Sequence, residues 1–98
     1  MLFRSLQIKN QKTQEKRELS VDGVFVAVGA VPNTKEFQNL IQLDEAGYIA
    51  AEEDCRTNVA GIYAAGDIRT KALRQVVTAV SDGANAVYSA QKYLSELA

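Results

Sequence analysis

Hydrophobic and polar positions alternate at the start of the chain. Over residues 2–9, Leu6 and Ile8 face one way while Ser5, Gln7 and Lys9 face the other, and this period of two predicts a half-buried strand. Asn10 to Glu18 is uniformly polar and reads as a solvated hairpin connection. Leu19 and Val21 resume the alternation, Asp22-Gly23 supplies a turn or bulge, and Val24 to Val28 is a continuous apolar run. A strand that is apolar on both sides needs cover on both sides, so this run predicts a central strand in a layered assembly.

Gly29 closes that run, and Val31-Pro32-Asn33 breaks the ladder. Proline has no amide proton and biases its predecessor toward extended backbone. Asn33 or Thr34 can cap a short helix over residues 34–41, with Phe37, Leu40 and Ile41 on its buried stripe. A turn at Leu43 to Gly47 leads to a short strand at Tyr48 to Ala50. Glu52-Glu53-Asp54 reads as a solvated acidic face, and Thr57 to Gly61 as a loop feeding a strand at Ile62 to Ala65. From Ala72 to Leu97 the three-and-four spacing of Leu73, Val76, Val77, Val80, Ala84, Val87, Ala90, Leu94 and Leu97 predicts one long helix. At 1.5 Å per residue it would run about 39 Å, more than a free-standing domain of 98 residues needs. Gly83 interrupts it at a cost of about 1 kcal/mol relative to alanine, which suggests a close neighbour there.

Composition narrows the function classes. At 98 residues and 47% apolar, the chain is sized for one modest domain and rich enough to collapse. Eleven basic against twelve acidic residues leave no excess for phosphate-backbone binding, so nucleic acid is not an expected partner. With no histidine and Cys55 as the single cysteine, an internal disulfide, a CxxC pair, a cysteine–histidine zinc site and a histidine base are all excluded within this sequence. Cys55 reads as an inert or solvent-facing thiol. The apolar run Val24 to Val31 is too short to span a bilayer, and MLFRSLQIKN lacks the features of a signal peptide. A cytoplasmic setting is the default expectation.

The stretch GIYAAGDIRTKALRQ, residues 61–75, concentrates the candidate chemistry. An apolar run narrows to Ala64-Ala65-Gly66 and then delivers the carboxylate of Asp67 ahead of a helix. Glycine permits close backbone approach, a helix amino terminus offers unpaired amides and positive potential, and a carboxylate at a strand end can grip hydroxyl groups as in ribose recognition. The bland alternative is that Asp67 merely caps a turn or helix. No GxGxxG and no P-loop occurs in the sequence, so a nucleotide site here would be half a site.

Taken together, VDGVFVAVGAVPNT (21–34), TNVAGIYAAGD (57–67), RQVVTAVSDGANAV (74–87) and YL (93–94) resemble the carboxy-terminal part of the low-molecular-weight thioredoxin reductases, which are FAD- and NADPH-dependent. The resemblance covers essentially the whole chain. The glycine–aspartate element is shared by many two-dinucleotide flavoproteins, and Arg74-Gln75 narrows it toward thioredoxin reductases and their peroxide-reducing relatives.

The resemblance implies an α/β fragment of a two-dinucleotide-binding flavoprotein: an amino-terminal β-hairpin, short strands, and a long carboxy-terminal helix. It assigns residues 1–30 to the last strands of an NADPH-binding domain, 31–47 to a crossover with Gly29, Pro32 and Asn33 at the hinge, and 48–98 to an FAD-binding domain. Gly66 and Asp67 would meet the phosphate-bearing chain and ribityl hydroxyls of FAD. Arg74, Gln75 and Val76 would sit at the flavin ring, where a helix amino terminus favours the negative charge of the reduced form. The family's two glycine-rich loops and its CxxC do not occur in this sequence. No catalytic or metal-binding residue is therefore assigned, and the chain alone is expected to be inactive and to bind neither FAD nor NADP tightly. Thioredoxin would be the parent enzyme's partner. One alternative is a non-enzymatic domain that forms a homodimer or larger self-assembly through its unpartnered apolar faces. Another is the tail of an alkyl hydroperoxide reductase flavoprotein.

Overall fold

The computed structural model describes residues 4–98; positions 2 and 3 of the expected first strand lie outside the described residues. Strand β1 (Ser5–Lys9) and strand β2 (Lys16–Ser20) form an antiparallel hairpin, in a register that sets Leu6 opposite Leu19 and Ile8 opposite Arg17. The connection is shorter than expected: Lys16 to Glu18, read as part of it, pair with Lys9 to Gln7, and Val21 lies beyond the strand, because backbone pairing does not require apolar side chains. The connection is tied by the Asn10 carboxamide, whose Oδ1 accepts the Lys12 amide at 2.9 Å and the Thr13 amide at 3.1 Å. Such local side-chain capture is the usual reason asparagine opens a turn.

Beyond the hairpin the expected central strand does not form. Val24 to Val28 has no ladder partner among the described residues. Phe25 is 101% exposed and Val28 91%. The run has strand composition, but a strand exists only where a neighbouring edge supplies its hydrogen bonds, and the described residues offer none.

The chain regains packed structure at Thr34. The expected helix over 34–41 is a single 3₁₀ turn, Lys35–Phe37, followed by further turn. Thr34 flanks it without a side-chain cap bond, its hydroxyl donating to the Gly47 carbonyl at 2.6 Å. Of the predicted stripe only Ile41 is buried; Phe37 and Leu40 remain exposed. The short strands near Tyr48 and Ile62 shrink to isolated bridges, antiparallel for Leu43–Ile49 and Arg56–Tyr63 and parallel for Ile49–Arg69. Ile49 is the junction: its amide donates to the Ile68 carbonyl and its carbonyl accepts the Thr70 amide, both at 2.9 Å. Around it, Ile41, Ala51 and Ala64 complete a small core, with Leu43, Val59, Ile62 and Ile68 packed against it.

Helix α1 (Val76–Leu97) is 22 residues long, about 33 Å at the standard rise. It starts four residues later than the periodicity predicts, because Gln75 is extended (φ −142°, ψ 161°). The predicted valine and leucine stripe is not the packed one. Val76, Val77, Val80, Val87, Leu94 and Leu97 are exposed, while Asp82 and Ser89 are the buried residues of the helix. The helix therefore rests on the loops through its small and polar face, with Ser89 Oγ donating to the Asp54 carbonyl at 2.8 Å and Tyr63 Oη donating to the Ser89 carbonyl at 3.2 Å. Gly61 (φ +83°) lies against the Tyr93 ring of the same face, where a Cβ would come within 3.3 Å. Nothing described lies within 4 Å of a Cβ at Gly83, so its expected close neighbour is not among the described residues. The radius of gyration is 20.3 Å, against about 13 Å for a compact domain of this size.

Candidate functional site

A cleft of about 550 Å³ opens at the amino terminus of α1, lined by Asp67, Arg74, Gln75, Val76, Ala79 and Val80. Four of the five predicted site residues line it; Gly66 adjoins it through Asp67. Gly66 has φ +84°, a backbone conformation that glycine adopts without steric cost. This turn swings the chain so that Asp67 is exposed at the cleft, and among the described residues its carboxylate has no hydrogen-bond or ion-pair partner. The reading of Asp67 as a plain helix cap is thereby overturned: eight residues separate it from Gln75, the residue at the cap position.

The opposite wall is the first turn of α1. The Gln75 amide donates to Thr78 Oγ1 at 3.0 Å, and the Ala79 amide donates to the Gln75 carbonyl at 3.0 Å. The amides of Val76 and Val77 have no acceptor among the described residues, and the first turn contains no acidic side chain. Those free donors and the helix dipole make this mouth favourable for an anion or a polar ring edge.

Arg74 joins the two walls. Its Nε donates to the Asp67 carbonyl at 3.0 Å and its Nη2 to the Arg69 carbonyl at 3.2 Å. Its guanidinium also stacks over the Tyr48 ring, 3.7 Å from the centroid. The helix begins just beyond it, after the extended Gln75. Arg74 is thus a strap across the turn, a use that the sequence pattern did not reveal.

Behind the cleft lies a charged cluster that sequence reading missed. The Asp82 carboxylate is matched two-pronged by Arg69, Nε to Oδ2 at 2.7 Å and Nη2 to Oδ1 at 2.6 Å. Oδ2 also accepts Lys71 Nζ at 2.7 Å and the Gly66 amide at 2.8 Å. The remaining nitrogen of the fork, Nη1 of Arg69, donates to the Thr70 carbonyl at 2.8 Å. Arg69 and Asp82 are each 2% exposed. The Arg69 hydrogen bonds hold the Asp82 carboxyl well below the usual carboxylate range, with Lys71 and the Gly66 amide adding to the effect against the opposing penalty of burial. The same bonding pushes the Arg69 guanidinium further up. A sequence signal was available in the basic pair Arg69 and Lys71 ahead of a lone acid on the small-residue face of the helix.

Cys55 is fully buried in the left-handed region (φ +61°), with its Sγ 3.4 Å from the Asp82 carbonyl. Burial, then the nearby Asp82 charge, pushes its thiol up, so it is a packed thiol and not a solvent-facing one. Among the described residues, no helix is long and apolar enough to cross a membrane.

Comparisons with known proteins give the family and the fold. The family described as pyridine nucleotide-disulphide oxidoreductase matches residues 4–83. The thioredoxin reductase of Listeria monocytogenes is 57% identical over 79 residues, covering 81% of this chain and 25% of that protein. A protein of the Clostridium pasteurianum rubredoxin operon is 47% identical over 87 residues, 89% of this chain and 28% of its own length. Among solved structures, Lactococcus lactis thioredoxin reductase superposes with a TM-score of 0.81 at 43% identity, over 95% of this chain and 31% of that one. The T. acidophilum enzyme gives 0.77 at 35% identity, over 97% and 31%. The chain thus spans about a quarter to a third of the length of these proteins. A hairpin and a long terminal helix in the fold of the thioredoxin reductases, with the family match over residues 4–83, show that the chain belongs to the pyridine nucleotide-disulphide oxidoreductase family.

Proposed function

We propose that this chain is the flavin-contacting, carboxy-terminal portion of a thioredoxin-disulfide reductase. The observation that carries the reading is the convergence of an exposed, unpaired Asp67 carboxylate and the free amides of Val76 and Val77 on one open cleft. The residues suit FAD: a carboxylate for ribityl hydroxyls, a glycine turn that brings backbone to the surface, and a helix mouth for the electron-rich ring edge. Bound FAD supplies the two-electron carrier between NADPH and a disulfide. The chain's own share is binding and orientation. Asp67 accepts hydroxyl donors, the α1 amides stabilise negative charge, and Arg74 fixes the distance between those walls.

On this reading residues 1–30 complete an NADPH-binding domain, 31–47 cross between domains, and 48–98 belong to the FAD-binding domain of a cytoplasmic, thioredoxin-reducing homodimer. Residues 4–98 alone are inactive and hold FAD weakly, since one carboxylate and one helix mouth do not replace a pyrophosphate site. The relatives named thioredoxin reductases favour this over an alkyl hydroperoxide reductase tail. The test is a graft of residues 4–98 into the matching segment of the Lactococcus lactis enzyme. Stoichiometric FAD and NADPH-driven thioredoxin reduction are expected; a graft that folds but emerges colourless, or loses its FAD on dialysis, contradicts the assignment.

A second reading rests on a separate observation. Phe25, Val26, Val28 and Val31 are 79–101% exposed on unpaired backbone, an edge suited to pairing with a second copy. Sedimentation of the isolated chain is expected to show a dimer or larger species, and a monomer at high concentration rejects it.

A further inference from the structure

We infer that Asp82 is the positioning residue of the flavin-contacting turn: its carboxylate fixes the Gly66 amide and so sets where Asp67 presents its own carboxylate. This rests on the proposed flavin role of Asp67 and adds to it a residue outside the cleft lining.

The geometry is specific. Gly66 sits at φ +84°, and a Cβ added there would meet only Ala79 Cβ, at an ordinary 3.8 Å. No tight side-chain contact at that position dictates the turn. The fixed point is its amide, which donates to Asp82 Oδ2 at 2.8 Å. Asp82 lies on the second turn of α1, so one carboxylate ties the turn directly to the helix whose mouth forms the other wall of the cleft. The carboxylate itself cannot rotate. Arg69 grips both oxygens and Lys71 adds a third donor residue, all within 2.7 Å.

A two-pronged guanidinium pair gives orientation as well as attraction, which a single ammonium does not. Arg69 closes the loop in a second way, since its carbonyl receives the Arg74 strap at 3.2 Å. The turn carrying Asp67 is thus held from inside by Asp82 and from outside by Arg74, and its orientation is set before any ligand arrives. A carboxylate placed only to satisfy buried cations would need neither the Gly66 amide nor a place on the cleft-forming helix.

The experiment uses the grafted holoenzyme described above, with FAD affinity and a double-mutant cycle as readouts. Unmodified graft that binds no FAD defeats the parent assignment and is scored separately. If that graft binds FAD, Asp82→Asn is expected to weaken FAD by about tenfold or more, the scale of a lost charge-assisted hydrogen bond. In the background of Asp67→Ala the same change is expected to weaken it by less than about threefold, because its route to the ligand is gone. A general packing role predicts equal losses in both backgrounds, and that result overturns the inference. Should Asp82→Asn not fold, Arg69→Lys decides, keeping the charge but losing the two-pronged grip. It is expected to weaken FAD about threefold with the Gly66 amide resonance shifted. Unchanged affinity and an unshifted resonance contradict the inference.

Discussion

The segment from Ile41 to Arg69 and the segment from Val24 to Val31 are both rich in apolar residues, yet the molecule treats them oppositely. The first has almost no regular secondary structure, only isolated bridges, but it buries Ile41, Ile49, Ala51, Cys55 and Ala64 and fully engages the Arg69 fork. The second has the stronger strand sequence and buries nothing; Val28 and Val31 are each 91% exposed. Local propensity did not decide the outcome. Ile41 to Arg69 packs because its partners, α1 and its own turns, are in the same chain. Val24 to Val31 stays open because a strand apolar on both faces depends on neighbours to either side. The cleft at the mouth of α1, the proposed flavin site, is built in the self-sufficient region.

Paired substitutions sharpen this contrast. Asp82→Ala leaves the Arg69 and Lys71 cations buried without their counter-ion, and about 3–5 kcal/mol is the expected loss. Val26→Thr in the open segment is expected to change stability by less than about 0.5 kcal/mol. Urea titrations of the two variants with matching midpoints would dissolve the distinction.

Within the small core, Ile49→Ala is expected to cost about 2–5 kcal/mol through lost burial and the cavity left behind, against no measurable loss for Phe25→Ala. The same denaturation assay reads both.

Acid supplies a third contrast. The Asp82 carboxyl is held down in the folded chain, so the unfolded chain takes up the proton first as pH falls. Its stabilisation is present above about pH 3.9, the unfolded carboxylate value, and is lost as pH drops from there toward the depressed folded value. Thermal melts between pH 5 and pH 2 (roughly the carboxylate range) should show a steep decline that Asp82→Asn flattens. An equally steep decline in the variant would assign acid sensitivity to other carboxylates.

The smallest expected effect belongs to the strap. Arg74→Ala removes a partly exposed stack on Tyr48 and two hydrogen bonds to carbonyls. About 1 kcal/mol is expected from the stacking loss, with a larger effect on FAD retention in the graft than on melting temperature. The reverse order would make Arg74 a fold element first.

Much of this plan was legible in the residues. The alternation around Leu6 and Ile8 foretold β1, and the glycine followed by Asp67 ahead of α1 singled out residues that the structure places at or beside one cleft. What periodicity could not reveal is which side of an element is covered. The valine stripe of α1 is a true helical pattern, but the described residues supply no cover for it, and the helix packs through Ala79, Asp82, Ser89 and Tyr93 instead. The strand at Val24 failed for the same reason. The Asp82 cluster was hidden because its members are separated by 11 to 16 positions and meet only once Gly66 turns the chain.

The most direct measurement is the FAD dissociation constant of the graft with and without Asp67→Asn, at matched folding. The account predicts that neutralising this one exposed carboxylate weakens FAD by about tenfold or more while the melting temperature of the cofactor-free protein stays put. Equal FAD affinity in both proteins would contradict it, because the cleft at the mouth of α1 would then not be where the flavin is held.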